Sequence, residues 1–269
     1  MTDIEDITYR KINGFALKAR LYHPTGSECG KWVIDVHGGA WNSGDRLKNA
    51  IIHKYLASHG IGVFSIDFRL SDEAQYPVPV QDVWYGVCWF KNNQKILGID
   101  ATYIGGLGSS SGAQQLGLVA LQPNRIDWCT GGLSPDDAGE GLEFFIACWP
   151  ILDPFARYKM AKAVENHRLI DAHEQYFNNK QDMVLGNPYH ILERGEATHL
   201  PKMLIIQGTE DANVDHRWQN NFAEIYAKKG GSIVLKKFEG QGHTFITNSP
   251  EIHQSREALD DIKKFIFEI

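Results

Sequence analysis

Cysteine is scarce in this chain. The four present among 269 residues (Cys29, Cys88, Cys129 and Cys148) include no C-x-x-C pair, which excludes a zinc knuckle and suggests no disulfide framework. Cys88 and Cys148 sit in apolar segments and are expected to be small core residues. Long apolar runs are also missing, so no membrane span and no membrane partner are expected. The start, Met1-Thr2-Asp3-Ile4-Glu5-Asp6, is acidic and lacks an apolar stretch. No secretory signal is therefore expected, and the cytoplasm is the expected compartment. Basic charge is in deficit, with 27 Lys and Arg against 33 Asp and Glu and a net charge of −6. That balance argues against a nucleic-acid partner, which needs a basic stripe. There is no metal-ligand cluster, phosphate-cradling loop or dinucleotide fingerprint, so neither metal nor cofactor is expected. Repeats and Pro/Gly/Ser linkers are absent too, which leaves 1–269 as one expected domain.

What is present alternates between strand-like and helix-like segments. Ile7 to Ile12 predicts an edge strand, and Phe15 to Tyr22 puts Leu17, Ala19 and Leu21 on one face of a half-buried strand. The short apolar runs at 32–36, 62–66, 101–107, 144–149, 203–207 and 232–237 have the composition of further strands, most of them buried parallel ones. Helical spacing appears at 48–59, at Val80 to Phe90, at 113–121, around Trp218 to Tyr226 and at 255–267. The expected fold class is α/β, with a mainly parallel, doubly wound sheet of about eight strands. The interval from Pro150 to Leu200 is too long for a simple connection. It predicts two or three helices starting near Phe155, arranged as a small lid over the strand ends.

The stretch that carries chemistry is Gly108-Ser109-Ser110-Ser111-Gly112, a G-x-S-x-G pentad between a strand and a helix. Such an elbow pushes the central serine, Ser110, above the sheet. A serine hydroxyl is a poor nucleophile without a base, and the base needs an orienting acid. In this architecture the partners follow in the order acid, then histidine, on loops after later strands. Gly208 to Val214 offers Asp211, with Glu210 and Asp215 as competitors, and Gly242-His243 offers the base. Asp215 is placed to cap a helix starting at His216. His37-Gly38-Gly39-Ala40-Trp41 follows an early strand and resembles the HGG motif of lipases and esterases. The amides of Gly39 and Ala40, with that of Ser111, are the expected oxyanion donors.

With these motifs the chain resembles α/β-hydrolases of the esterase/lipase kind: hormone-sensitive-lipase-like carboxylesterases, bacterial feruloyl/acetyl esterases and kynurenine formamidases. Asp67-Phe68-Arg69-Leu70 is similar to the family's D-Y-R-L, and the place of Asp211 three residues before Val214 fits its pattern. Two departures stand out, since many relatives have Asp before and Ala after the elbow serine, and Ala40 replaces the third glycine of HGGG. The resemblance implies a Ser110–His243–Asp211 triad and an acyl-enzyme mechanism, and the small lid with the aromatic residues favours a small to medium, partly apolar ester. An arylformamidase-type amidase and a non-catalytic small-molecule binder are the competing readings, and a homodimer is possible for this fold.

His37 is expected to brace the oxyanion loop, and Asp67 and Arg69 to pair with each other. Trp41, Phe68, Trp149 and Phe155 line either the substrate pocket or the core, because strand ends feed both. Asp35, a charge inside a buried strand, has no explanation at this level.

Overall fold

The computed structural model describes residues 3–26 and 29–269; Met1 and Thr2 of the acidic start, and residues 27 and 28, lie outside them. Strands β1 (Ile4–Ile12) and β2 (Phe15–Tyr22) form a hairpin. Its turn residues, Asn13 and Gly14, both have positive φ, as a tight Asn-Gly hairpin turn requires. Then follow β3 (Lys31–Val36), α1 (Ala50–Ala57), β4 (Gly62–Ile66), α2 (Val78–Asn93), β5 (Tyr103–Ser109) and α3 (Ser111–Leu121). After β6 (Phe144–Cys148) come four helices: α4 (Pro154–Ala163), α5 (His167–Tyr176), α6 (Lys180–Leu185) and α7 (Pro188–Arg194). The chain ends with β7 (Lys202–Gly208), α8 (His216–Lys228), β8 (Ile233–Phe238), α9 (Phe245–Asn248) and α10 (His253–Phe267).

The strands form one sheet in the order β1-β2-β4-β3-β5-β6-β7-β8. The β1–β2 and β2–β4 pairs are antiparallel and all later pairs parallel. Strands β3 to β7 are buried on both faces because helices cover both, while the edge strand β8 is half exposed. In β3, Trp32, Ile34 and Val36 face the core that includes α2 and α3 residues, while Val33 faces the one with Ile52, Leu56, Leu259 and Ile262 of α1 and α10. Cys88 and Cys148 are free thiols buried in these cores. No helix of the described residues is long and apolar enough to cross a membrane.

The interval between β6 and β7 holds four helices where two or three were expected. Each is only 6 to 10 residues long, too short to persist in isolation. Each is punctuated at its start by an Asx cap: Asp153, Asn166, Asn179 and Asn187 accept the amides of Ala156, Leu169, Asp182 and His190. A cap of this kind is worth about 1 kcal/mol.

The expected Asp67–Arg69 pair does not form. Asp67 instead accepts the Arg46 amide and guanidinium, and Arg69 clamps Asp82 of α2 through Nε and Nη2. Each side chain instead takes a charged partner from a distant segment, Arg46 for Asp67 and Asp82 for Arg69, which the local spacing does not announce. Arg10 of β1 also reaches the fully buried Asp82. Removing this carboxylate by Asp82→Ala strands two buried guanidinium groups, a change that costs about 3–5 kcal/mol. The variant is expected to melt about 6–15 °C below wild type. A calorimetric shift under 2 °C would show that the pairing is not stabilising.

Candidate active site

Ser110 follows β5 directly and precedes α3, with φ 51° and ψ −117°, a left-handed conformation that costs a non-glycine residue energy. The turn is held by the Ser110 amide donating to Cys148 O and by the Ser110 carbonyl accepting from Ile151 and Ala113. Gly112 is required here because a Cβ would lie 2.1 Å from Val36 O and 2.3 Å from His37 O. The packing of α3 on β3 thus depends on a missing side chain.

Two later loops meet this turn. His243, beyond β8, has its Nε2 3.0 Å from Ser110 Oγ and its Nδ1 2.7 Å from Asp211 Oδ2. Asp211, after β7, also accepts from Gln207 Nε2 and from the amides of Asn213 and Val214. Burial alone would raise its pKa, but these bonds and the neighbouring imidazole hold the carboxyl below its ordinary value. It is therefore an anion at neutral pH, suited to keep the imidazole proton on Nδ1 and the Nε2 lone pair toward Ser110. The arrangement can draw a proton from the hydroxyl as it attacks. Of the competing acids, Asp215 caps α8 through the Arg217 amide, and Glu210 is exposed.

The His37–Trp41 loop lies against the elbow. Gly39, Ala40 and Trp41 all have positive φ, at 135°, 53° and 66°. Only glycine fits at 39, where a Cβ would meet Ser43 O at 1.8 Å. The serines flanking Ser110 fasten this loop: Ser109 Oγ accepts the Gly38 amide at 2.9 Å and Ser111 Oγ the Trp41 amide at 3.2 Å. Between these tied amides, those of Gly39 and Ala40 have no hydrogen-bond partner among the described residues. The amide of Ser111 opens α3 and has no intrahelical acceptor. Gly39 and Ala40 border the same cleft as Ser110. His37 is buried, stacks on Phe68 at 4.4 Å and has its Nδ1 2.8 Å from Gly38 O. Burial lowers its pKa, so it is a neutral brace.

Asp35 now has a physical account. Its carboxylate accepts from Asn49 Nδ2 and Ser65 Oγ, each at 3.0 Å. His53 Nε2 also lies 3.0 Å away, off the line of a good hydrogen bond. Asn49 in turn donates to Ser109 Oγ. A polar chain therefore runs from the sheet interior to the amide of Gly38.

The cleft above Ser110 has a volume of about 240 Å³ and opens to solvent, just below the range usual for small-molecule sites. Of the four aromatic residues expected around it, Trp149 lines it, with φ 39° where the chain leaves β6. Trp41 does not. It stacks on Tyr176 at 4.9 Å and donates to Gln114, inside the core. Phe68 is likewise in the core behind His37, and Phe155 lines a separate surface depression with Tyr158 and Lys159. Trp41 and Phe68 turn away because α5 offers Trp41 an aromatic bed and the imidazole offers Phe68 a flat partner, while Phe155 carries the Lys159 ammonium over its ring at 4.7 Å. The polar lining was not foreseen: Arg157 of α4, Arg168 of α5, Asn213 and Lys48. No sequence motif marks them.

Beneath this lining, His173 is buried with Nδ1 2.7 Å from Leu169 O, against the rings of Trp41 and Tyr158. Burial first, and then the charge of Arg157, push its pKa down to about 3. The unfolded chain binds this proton near pH 6.5. The stabilisation from keeping the ring neutral is thus complete above about pH 6.5 and is lost as pH falls toward 3. His173→Phe is expected to lose about 3 kcal/mol less than wild type between pH 6.5 and 4. Parallel urea unfolding curves over that range would refute this assignment.

A sheet of this order, with a strained serine elbow after β5, an acid loop after β7 and a histidine loop after β8, defines an α/β-hydrolase. The chain belongs to the BD-FAE family, whose model matches residues 20–225. It is 31% identical over 112 residues to an arylesterase of Saccharolobus solfataricus, covering 41% of this chain and 37% of that protein. It is 26% identical over 266 residues to an ethyl acetate hydrolase of Pseudomonas putida, covering 95% and 80%. The chain spans about half the length of several other curated relatives, such as 48% of a probable isoprenylcysteine α-carbonyl methylesterase of Arabidopsis thaliana. Among solved structures, an esterase of Pyrobaculum calidifontis superposes with a TM-score of 0.81 at 24% identity, covering 98% of this chain and 84% of that one. Esterase 2 of Thermogutta terrifontis, phosphorylated by paraoxon, gives 0.80 at 21%, covering 98% and 94%. These structures establish the shared fold.

Proposed function

We propose that the protein is a serine carboxylesterase that cleaves a small to medium ester through an acyl-enzyme. The observation that carries this reading is a single histidine bonded at one nitrogen to Asp211 and at the other to Ser110 Oγ. Ser110 attacks the ester carbonyl as His243 takes its proton. The amides of Gly39, Ala40 and Ser111 receive the developing oxyanion, each such donor typically contributing about 3–4 kcal/mol to transition-state stabilisation. His243 then protonates the leaving alcohol, and water resolves the acyl-enzyme by the same path. Asp211 holds the imidazole in the right tautomer throughout. The esterase names of its relatives favour an ester over a formamide. Helices α4 to α7, following the strand end beside the elbow, are the proposed lid.

The test is hydrolysis of p-nitrophenyl esters from acetate to dodecanoate, with an aryl formamide as comparison. It is paired with mass mapping after paraoxon, the agent named for one structural neighbour. Ester turnover with a maximum at short to medium acyl length, and phosphorylation at Ser110 alone, are expected. Turnover of the formamide alone, or labelling elsewhere, would overturn the reading.

A further inference from the structure

The lining of the cleft carries a charge pattern that hydrolysis of a neutral ester does not require. Lys48, Arg157 and Arg168 all border it, and no Asp or Glu does among the described residues, although the chain as a whole carries a net charge of −6. Arg157 is the unusual member. It is 2% exposed, yet no carboxylate lies within ion-pair distance of it among the described residues. Its Nε donates to Asn213 O at 3.0 Å, and its buried Nη1 has no hydrogen-bond partner among the described residues. The nearest acid in its field, Asp211, is already committed to His243, Gln207 and two amides. Burial, and then the like charge of Arg168, lower the Arg157 pKa to about 10, which still leaves it charged at neutral pH. Arg168 is held beside it through Nη2 and Asn213 Oδ1 at 2.8 Å, so one asparagine sets the direction of both guanidinium groups.

The Arg157 guanidinium lies 5.9 Å from the centre of the Trp41 ring, a contact worth far less than an ion pair; a buried charge without a carboxylate partner works against folding, and a shape-matched apolar residue would be at least as stable there. Its presence at the wall of the cleft therefore points to a partner supplied from outside the chain. A guanidinium fork matches a carboxylate in geometry and charge. Resting on the esterase reading above, we propose that the substrate carries a carboxylate remote from the scissile ester, and that Arg157, supported by Arg168, binds it. Arg157 then acts as a specificity residue that touches the substrate without taking part in bond-making. The anionic group also orients the ester, since a second anchored point restricts how the carbonyl meets Ser110 Oγ.

The test compares wild type and Arg157→Met on two matched pairs. p-Nitrophenyl hemiglutarate against its ω-carboxamide places the charge on the acyl side; 4-butyryloxybenzoate against 4-butyryloxybenzamide places it on the alcohol side. Wild type is expected to favour the acid over the amide in one pair by about 10- to 100-fold in kcat/KM, the range of a charged hydrogen bond. That ratio should fall to near one in Arg157→Met, and Arg157→Lys should restore part of it. Should the methionine variant not fold, Arg168→Met at the exposed neighbour reads the same ratio, which is expected to drop several-fold. Thermal-shift titration with glutaranilic acid and its carboxamide reads the site without turnover. Stabilisation by the acid alone, lost in Arg157→Met, upholds the inference even if no ester is cleaved, an outcome that overturns only the esterase reading. Ester cleavage with no acid preference in either pair, or a preference that persists without Arg157, overturns the inference and leaves the esterase reading intact.

Discussion

Ser110→Ala is expected to lower kcat on a p-nitrophenyl ester by about 10⁴- to 10⁶-fold, with little change in folding. The magnitude follows from what the hydroxyl does. Without it no acyl-enzyme forms, and His243 can only assist direct attack by water, a route that keeps the benefit of the backbone donors but loses the covalent step. The substitution removes one oxygen from a residue that is 6% exposed, and it relieves nothing in the turn because alanine also has a Cβ at φ 51°. The flanking serines serve as controls. Ser109 and Ser111 each contribute one hydrogen bond to the His37–Trp41 loop, worth about 1 kcal/mol. Ser109→Ala and Ser111→Ala should therefore slow turnover only about five- to tenfold. Ser110→Ala retaining more than a tenth of wild-type kcat would remove this serine from the mechanism.

For Asp211→Asn the expected loss is about 10⁴-fold in kcat with KM nearly unchanged. An asparagine keeps the shape but presents an amide, which can donate to Nδ1 and so turn the imidazole proton onto Nε2. There it points at Ser110 Oγ, 3.0 Å away, and the base is blocked. Gln207, which donates to the Asp211 carboxylate, stabilises the charged acid and not its amide. Glu210→Gln and Asp215→Asn, in the same loop, should change kcat by less than threefold. If one of them instead proved as damaging as Asp211→Asn, the acid would have to be reassigned.

The parts of this site that were readable from the sequence are those made by backbone constraint. Gly112 and Gly39 cannot carry side chains where they sit, and the chain order of Ser110, Asp211 and His243 follows from the succession of parallel strands. What escaped is set by tertiary contact alone. Trp41 and Phe68 belong to the core because Tyr176 and His37 offer them flat partners from other segments, which no local pattern announces. Asp35 looked out of place until Asn49, Ser65 and His53 closed around it. Arg157 sits mid-helix with no motif, and its significance lies in a missing partner. The triple-serine elbow was visible as a departure from its relatives, yet its cause emerged only with the two loop amides that Ser109 and Ser111 receive.

The cleft is built from two kinds of material. Part of its lining is the main chain of Gly39 and Ala40, in a loop fastened to the elbow through Ser109 and Asn49. Another part is made of side chains, Arg157, Arg168 and Asn213, carried on elements that can exchange them without moving the backbone. Evolution can thus rewrite what is recognised while the reactive wall stays fixed. A combinatorial library confined to positions 157, 168 and 213 is accordingly the shortest route to new selectivities on this scaffold.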